Sequence, residues 1–203
     1  IALPDFDGNL KSDKKIEVLT GLNKPHGIAV DDQYLYIAET DKVSRYRYSS
    51  SATSVGAKEV LFDLPSGGNH FTRTIKIYND KLYTSVGSSC DACVEKNNLR
   101  ASILVSNLNG QDLKVFAKGL RNTVFFDFDK AGKMWGADMG RDKLGDKFPP
   151  DEINLIEEGK DYGWPYCYGD RIRDAKVIAD QIFNCDQTES PKYELPAHSA
   201  PLG

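Results

Sequence analysis

An internal repeat decides what this chain can build. YLYIAET at Tyr34 to Thr40, KLYTSVG at Lys81 to Gly87 and KMWGADMG at Lys133 to Gly140 recur at a spacing of about 50 residues, typical of propeller blades. Each follows a comparable passage, LTGLNKPHGIAV, then LFDLPSGGNHFTRTIKI, then FAKGLRNTVFFDF, and a fourth copy opens at YELPAHSAPLG. Around these markers lie short strand-like runs rather than long amphipathic helical stretches: GIAV, YLYIAE, VSRYRY, EVLF, RTIKIY, KLYTSVG, SILVSNL, LKVFA, VFFDF, KMWGAD and INLIEE. Asp31-Asp32-Gln33 and Asn79-Asp80 read as tight hairpin links, and Asp129-Lys130-Ala131-Gly132 as a longer one. The chain is therefore predicted to be all-β. Four-stranded antiparallel blades span 20–62, 63–118 and 119–194, with a further blade starting in 195–203. Three blades leave a ring open, since propellers carry about four to eight. Open sheet edges and bare inter-blade faces invite aggregation, so the remaining blades are expected from sequence outside these residues or from a second chain.

Composition narrows the partners. Of 203 residues, 40% are hydrophobic and 28% charged, an ordinary folded composition. A net charge of −4 and a pI of about 5.4 supply no basic field for a phosphate backbone, which argues against nucleic acid. No apolar run approaches the roughly 20 residues of a membrane span. The cysteines fall as Cys90 with Cys93 and Cys167 with Cys185. The C-x-x-C of SSCDACVE admits a redox motif, half a zinc site or a small disulfide ring. Its Ser, Asp and Ala neighbours read as a loop, no His follows Cys93, and Cys167 and Cys185 lie too far apart to complete a zinc site. Two structural disulfides are favoured over four buried reduced thiols. They imply an oxidising compartment, periplasmic or secreted.

Reactive side chains gather where the repeats begin. His26 precedes GIAV, His70 precedes RTIKI, His198 stands in the fourth copy, and the third repeat places Arg121 and Asn122 at the same point. Innermost propeller strands line a central channel, and the loops that enter them share one mouth, so these groups are expected around a single polar site. There a neutral imidazole can accept a proton, and a guanidinium can hold an oxyanion or a carboxylate. A three-histidine metal site is the competing reading.

The third repeat carries a more specific signal. GLRNTVFFDFDKAGKMWGADMGRDKLGDKFPPDEINLIEEGKDYGWPYCYGD closely resembles the soluble quinoprotein sugar dehydrogenases. These are the pyrroloquinoline quinone (PQQ)-dependent glucose, aldose-sugar and pyranose dehydrogenases and the sorbosone dehydrogenase-like group. The combination of LRN, DEINLIEEG and DYGWPYC carries the likeness, and GLNKPHGIAV, GGNHFTRTI and ELPAHSAPLG extend it along nearly the whole chain. The C-x-x-C after the second blade's strand places it nearest the sorbosone dehydrogenase-like branch.

The resemblance implies a six-bladed propeller that oxidises a sugar or polyol hydroxyl. Hydride would pass to PQQ, a calcium ion (Ca2+) would polarise the quinone oxygens, and an external electron acceptor would take the electrons onward. It implies that His70 is the general base, and that Arg121 and Asn122 contact the quinone's polar edge, with His26 and His198 in cofactor-mouth loops. It implies further that Gly140 and Arg141 offer backbone carbonyls to the cofactor's calcium. Asp151, Glu152 and Tyr162 would form a second, structural calcium region, oxygen donors being what calcium takes. Later blades would supply the basic groups that clamp the quinone carboxylates, so these residues alone are expected to bind PQQ poorly.

Two positions depart from the glucose dehydrogenases. Where those carry carboxylates that orient the histidine, this chain has Asn69 and Ser88, and a neutral partner stabilises imidazolium less. The departure favours an alternative, a non-catalytic propeller that binds a carbohydrate or a protein. A calcium-dependent lactonase-type propeller ranks below both, because the channel loops read His and Arg rather than Asp and Glu. Elsewhere, DFDGNLKSDK reads as a solvated turn, and Lys143, Asp146 and Lys147 as a charged surface loop. Trp135 and Trp164 read as inter-blade packing, and Arg73 as either a support for His70 or a strand cap.

Overall fold

The computed structural model describes residues 1–49, 54–177 and 182–199. They form a partial β-propeller of three four-stranded antiparallel sheets. The first holds β1 (Gly27–Val30), β2 (Tyr34–Ala38), β3 (Lys42–Arg47) and β4 (Lys58–Asp63) in chain order. The second repeats it with β5 (Ile75–Tyr78), β6 (Lys81–Val86), β7 (Ser102–Asn107) and β8 (Lys114–Lys118). The third begins alike, with β9 (Thr123–Phe128), β10 (Met134–Asp138) and β11 (Asp151–Ile156). An excursion then holds a small hairpin, β12 (Cys167–Tyr168) with β13 (Ile172–Arg173), and a 3-10 turn at Cys185–Gln187. Only after it does the outermost strand β14 (Tyr193–Leu195) pair with β11, Asp151 opposite Leu195 and Ile153 opposite Tyr193. The passage expected to open a fourth copy therefore starts as the edge of the third sheet. Of the segment 195–203 assigned to a further blade, residues 200–203 lie outside the described residues.

The turns follow local chemistry. Asn79 and Asp80 both take left-handed backbone angles, φ 47° and 56°, the two-residue reversal whose twist matches paired strands. Asp31 caps the β1–β2 link, accepting from the Gln33 and Tyr34 amides at 2.8 and 2.7 Å and from Tyr36 Oη at 2.8 Å. Asp129 does the same between β9 and β10 for the amides of Ala131 and Lys133 and for Trp135 Nε1. Trp135 is thus tied to a turn.

Inward side chains fuse adjacent sheets. Tyr36, Val43, Ile75, Leu82, Val86 and Leu104 close the seam between the first and second. Ile103, Leu120, Phe126, Met134, Ile156 and Tyr162 close that between the second and third. Each large apolar side chain buried there contributes about 1.5–3 kcal/mol, enough for the seams to fix how the sheets sit together. β1 packs on β5 and β5 on β9, so these three are the inner strands. Ile28 and Val30 of β1 remain 64% and 50% exposed, an apolar flank of the kind that a further blade covers. Both expected disulfides are present, Cys90–Cys93 and Cys167–Cys185, the second closing the excursion before β14. Among the described residues, no helix is long and apolar enough to cross a membrane.

Candidate functional site

The loops entering β5 and β9 meet at Gly87. A Cβ there would lie 2.5 Å from Asn122 Oδ1 and 2.6 Å from His70 Cβ, so His70 and Asn122 approach each other across a residue that must lack a side chain. The Ser88 amide donates to Arg121 O at 2.8 Å, tying the end of the second sheet's β6 marker to the start of the third sheet. Gly87→Ala is expected to force the two side chains apart and to cost about 1–3 kcal/mol, the range for overpacking. A lowered denaturant midpoint at constant m-value would show it; an unchanged midpoint would contradict the packing.

His70 is half-buried, with Nδ1 2.9 Å from Ser88 Oγ and 3.0 Å from Ser88 O. Ser88 Oγ spends its own hydrogen on Cys90 O at 2.7 Å. Both groups facing Nδ1 are then acceptors, which assigns the ring proton to Nδ1 and leaves the Nε2 lone pair free. Burial, followed by the Arg121 charge, pushes His70 down to about 4, so its imidazole is neutral at neutral pH. Ser88 thus holds the tautomer without adding negative charge, while Asn69 contributes its backbone amide to Ser89 O.

Two arginines hold the loop beneath. Arg73 is fully buried and donates to the carbonyls of His70, Thr72 and Pro65 at 3.1, 2.7 and 2.8 Å. Of the two roles open to it, it takes support of His70. Arg100, unmarked in the sequence, donates to the Pro65, Ser66 and Gly67 carbonyls.

Arg121 and Asn122 owe their placement to Asp138, at the end of β10. Its carboxylate accepts from the Arg121 amide at 2.9 Å, the Asn122 amide at 2.8 Å and Thr123 Oγ1 at 2.8 Å. Burial raises Asp138 to about 6 against the pull of these donors and of the Arg121 charge. The buried Arg121 guanidinium donates from Nε to Asp91 O at 2.9 Å, from Nη2 to Asp91 Oδ1 at 2.8 Å and from Nη1 to Met139 O at 3.3 Å. Asn122 Nδ2 lies 3.3 Å from Met139 Sδ. Arg141, expected to act through its backbone, also uses its side chain. Its Nη2 shares Asp91 at 3.3 Å and its Nη1 pairs with the buried Asp174 at 2.8 Å.

His26 and His198 stand apart from this network. His26 is exposed, with Nδ1 3.4 Å from Thr74 Oγ1, which itself donates to Val124 O. Among the described residues, His198, also exposed, reaches Gly145 O, 3.2 Å from its Nε2. Among the described residues, no cluster of three potential ligands contains a histidine, which removes the three-histidine metal reading. His70, Arg121, Asn122 and Arg141 are the expected residues that the fold brings together.

The second expected calcium region is divided by β11. Successive strand residues face opposite ways. Asp151 Oδ1 accepts from the Gly140 amide at 2.7 Å, whereas Glu152 accepts from the Gly169 amide at 2.7 Å and from Asn154 Nδ2 at 3.1 Å. Glu152 lines a cavity of about 20 Å³ with Asp138, Gly140, Tyr162 and Trp164, room for about one water or ion. Trp164, expected in a blade seam, stands at this cavity. Tyr162 offers only its ring, because its hydroxyl donates to Leu155 O at 2.6 Å and accepts from the Glu157 amide at 2.9 Å. The three residues therefore do not make one ligand set. Among the described residues, Asp151 Oδ2 and Asn154 Oδ1 are buried acceptors without a donor, and burial, reinforced by Asp138, raises Glu152 to about 8. Orphaned oxygens and crowded carboxyls are what a hard cation relieves, so the residues fit calcium on either side of β11.

Comparison with known proteins follows the same outline. The model of the TrAA12-like family matches residues 4–203. An uncharacterized protein of Borreliella burgdorferi is 33% identical over 208 residues, taking in 95% of this chain and 54% of that protein. The chain thus spans about half the length of that curated relative. Among solved structures, the calcium structure of Trichoderma reesei Carbohydrate-Active Enzymes Family AA12 superposes with a TM-score of 0.82 at 19% identity, covering 97% of this chain and 62% of that one. The holo form of the pyranose dehydrogenase PQQ domain from Coprinopsis cinerea gives 0.71 at 18% identity, with 91% and 68% covered. At such identities the structural likeness establishes the propeller fold. The family match runs along nearly the whole sequence and is joined by a relative at 33% identity: the chain belongs to the TrAA12-like family.

Proposed function

We propose that the full-length protein carrying this chain is a PQQ-dependent dehydrogenase of sugars or polyols, working in the periplasm or outside the cell. The observation that supports this most is a neutral histidine held through Nδ1 beside a buried arginine, where the inner strands begin. A substrate hydroxyl donates to His70 Nε2, and as hydride leaves the adjoining carbon the hydroxyl proton passes to that nitrogen. Ser88 keeps the ring oriented throughout. Arg121 has three of its five N–H donors engaged by Asp91 and Met139, leaving two to grip a carbonyl or carboxylate oxygen together with Asn122. When bound, PQQ would supply the two-electron acceptor and calcium a Lewis acid beside it, with an external acceptor taking the electrons onward. The Gly140 segment with Asp151 would hold the cofactor's calcium, and Glu152 with Asn154 a second ion. His26 and His198 belong to the approaches.

Dye-linked oxidation of a sugar and polyol panel by the full-length protein, with PQQ and calcium added, tests this reading. Turnover is expected. No turnover, together with an unaltered quinone absorbance, would leave the non-catalytic propeller. Calcium affinity is also expected to rise with pH, because Glu152 must first lose the proton that burial and Asp138 retain up to about 8. The gain is up to about tenfold per pH unit below that value, with a plateau above it. Calorimetric titration across this range checks it; an affinity that does not move with pH would exclude Glu152 as a ligand.

A further inference from the structure

The loop closed by Cys90 and Cys93 contacts Arg121 and Arg141 directly and His70 through Ser88. Cys90 O accepts the Ser88 hydroxyl at 2.7 Å, and Ser88 Oγ receives the His70 Nδ1 proton at 2.9 Å. Asp91 O accepts from Arg121 Nε at 2.9 Å and from Trp164 Nε1 at 3.4 Å. Asp91 Oδ1 accepts from Arg121 Nη2 and from the Asp142 amide, both at 2.8 Å, while Oδ2 accepts from Arg141 Nη2 at 3.3 Å. One carboxylate from the second blade, 21% exposed, thus joins two guanidinium groups of the third blade that are 5% and 14% exposed. Asp91 lies inside a disulfide ring whose sulfurs are three residues apart, which restricts how far its backbone can move.

Without Asp91, the carboxylate left within 4.0 Å of the Arg121 guanidinium among the described residues would be the exposed Asp142, with Asp138 acting on it beyond ion-pair distance, whereas Arg141 would keep Asp174. Two cations that share one carboxylate repel once it is gone, and each long side chain regains rotamer freedom. A guanidinium fixed in advance binds an anionic group better than a mobile one, because its ordering cost is not charged to the ligand.

We propose that Asp91, clamped by the Cys90–Cys93 ring, is the positioning residue of this site: it sets the Arg121 and Arg141 guanidinium groups for an anionic, carbonyl-bearing ligand, while Cys90 O of the same ring sets Ser88 and, through it, the His70 tautomer. The identity of the ligand rests on the proposed dehydrogenase function; the clamp itself does not.

Three changes to the full-length protein test it. Asp91→Asn removes the charge and keeps the Asp91 O contact, Asp91→Glu keeps the charge, and Cys90→Ser with Cys93→Ser opens the ring and keeps Asp91. The first readout needs no cofactor: solvent exchange of the Arg121 Nη2 protons, which face Asp91 Oδ1, by NMR, assigned by their disappearance in Arg121→Lys. Exchange is expected to quicken by about tenfold in Asp91→Asn and in the ring-opened protein, the scale of one charge-assisted hydrogen bond. Their combination should be no faster than the larger of the two, since both act through one residue. The second readout is PQQ affinity by quinone absorbance, expected to weaken in Asp91→Asn by a similar factor and to recover in Asp91→Glu. A wild-type protein that binds no PQQ removes the functional reading, and Arg121 exchange still decides the clamp. Exchange unaltered in the variants, or effects that simply add, overturns the clamp. Should Asp91→Asn fail to fold, unaltered exchange in the ring-opened protein alone overturns it.

Discussion

Replacing His70 with Ala should lower dye-linked sugar oxidation by about 100- to 10,000-fold, the contribution of a positioned general base, while PQQ affinity changes little. The two effects separate because the ring's polar contacts run through Nδ1 to Ser88. Arg121 and Asn122 are held from the other side by Asp91, Met139 and Asp138, so removing the imidazole leaves their anchors in place. Wild-type kcat/KM should fall on the acid side near pH 4, well below the ordinary histidine value of about 6.5, because burial and Arg121 keep the ring neutral. Folding carries the same sign. Between about pH 6.5 and 4 the unfolded chain takes up a proton that folded His70 refuses, so this residue's contribution to stability fades as pH falls through that window. An Ala variant with ordinary turnover would remove His70 from the chemistry, and an acid limb near 6.5 would show that burial does not govern the ring.

The parts of this fold legible in the sequence are those set by neighbours along the chain. Asp31 and Asp129 cap their own hairpins, and Asn79 with Asp80 adopts the reversal its side chains tolerate. The outer strand Tyr193–Leu195 was recognisable only as a repeat boundary, since its partner β11 lies across a long excursion. In the site, repeat position located His70, Arg121 and Asn122, yet it gave His26 and His198 the same standing. Position along a blade says where a side chain starts, not what it reaches. Gly87 and Asp91 answer to groups in other loops and carry no local mark.

Asp138 did carry one. Aligned on the repeat markers, Glu39, Val86 and Asp138 occupy equivalent positions. Glu39 is buried and accepts from the Asn23 amide at 2.7 Å in the loop before β1, as Asp138 accepts from the amides before β9. The second blade has Val86 there, and its entering loop is held instead by Arg73 and Arg100 donating to carbonyls. An acid at the end of a blade's second strand thus marks a loop anchored by its amides; where the acid is absent, cations anchor the carbonyls.

Asp138→Ala should therefore be among the most destabilising single changes in the chain. It strands the Arg121 amide, the Asn122 amide and Thr123 Oγ1 in a buried setting, and each unsatisfied donor costs about 1–3 kcal/mol. The expected total is about 3–5 kcal/mol, a large part of the roughly 5–15 kcal/mol that holds a domain folded. The loss is one of partners rather than of charge, because burial already disfavours ionisation of Asp138 and raises it to about 6. Relief of Glu152, which Asp138 pushes upward, offsets a little of it. Asp138→Asn separates the two contributions: the amide abolishes the charge but keeps one acceptor oxygen for the loop, so it should lose less than half as much. Denaturant midpoints at matched m-values measure both. Equal losses for Ala and Asn would mean that the charge holds the loop. A loss below about 1 kcal/mol for Ala, the scale of a single hydrogen bond, would mean that Arg121 and Asn122 are placed by the seams and by Asp91, with Asp138 as a bystander.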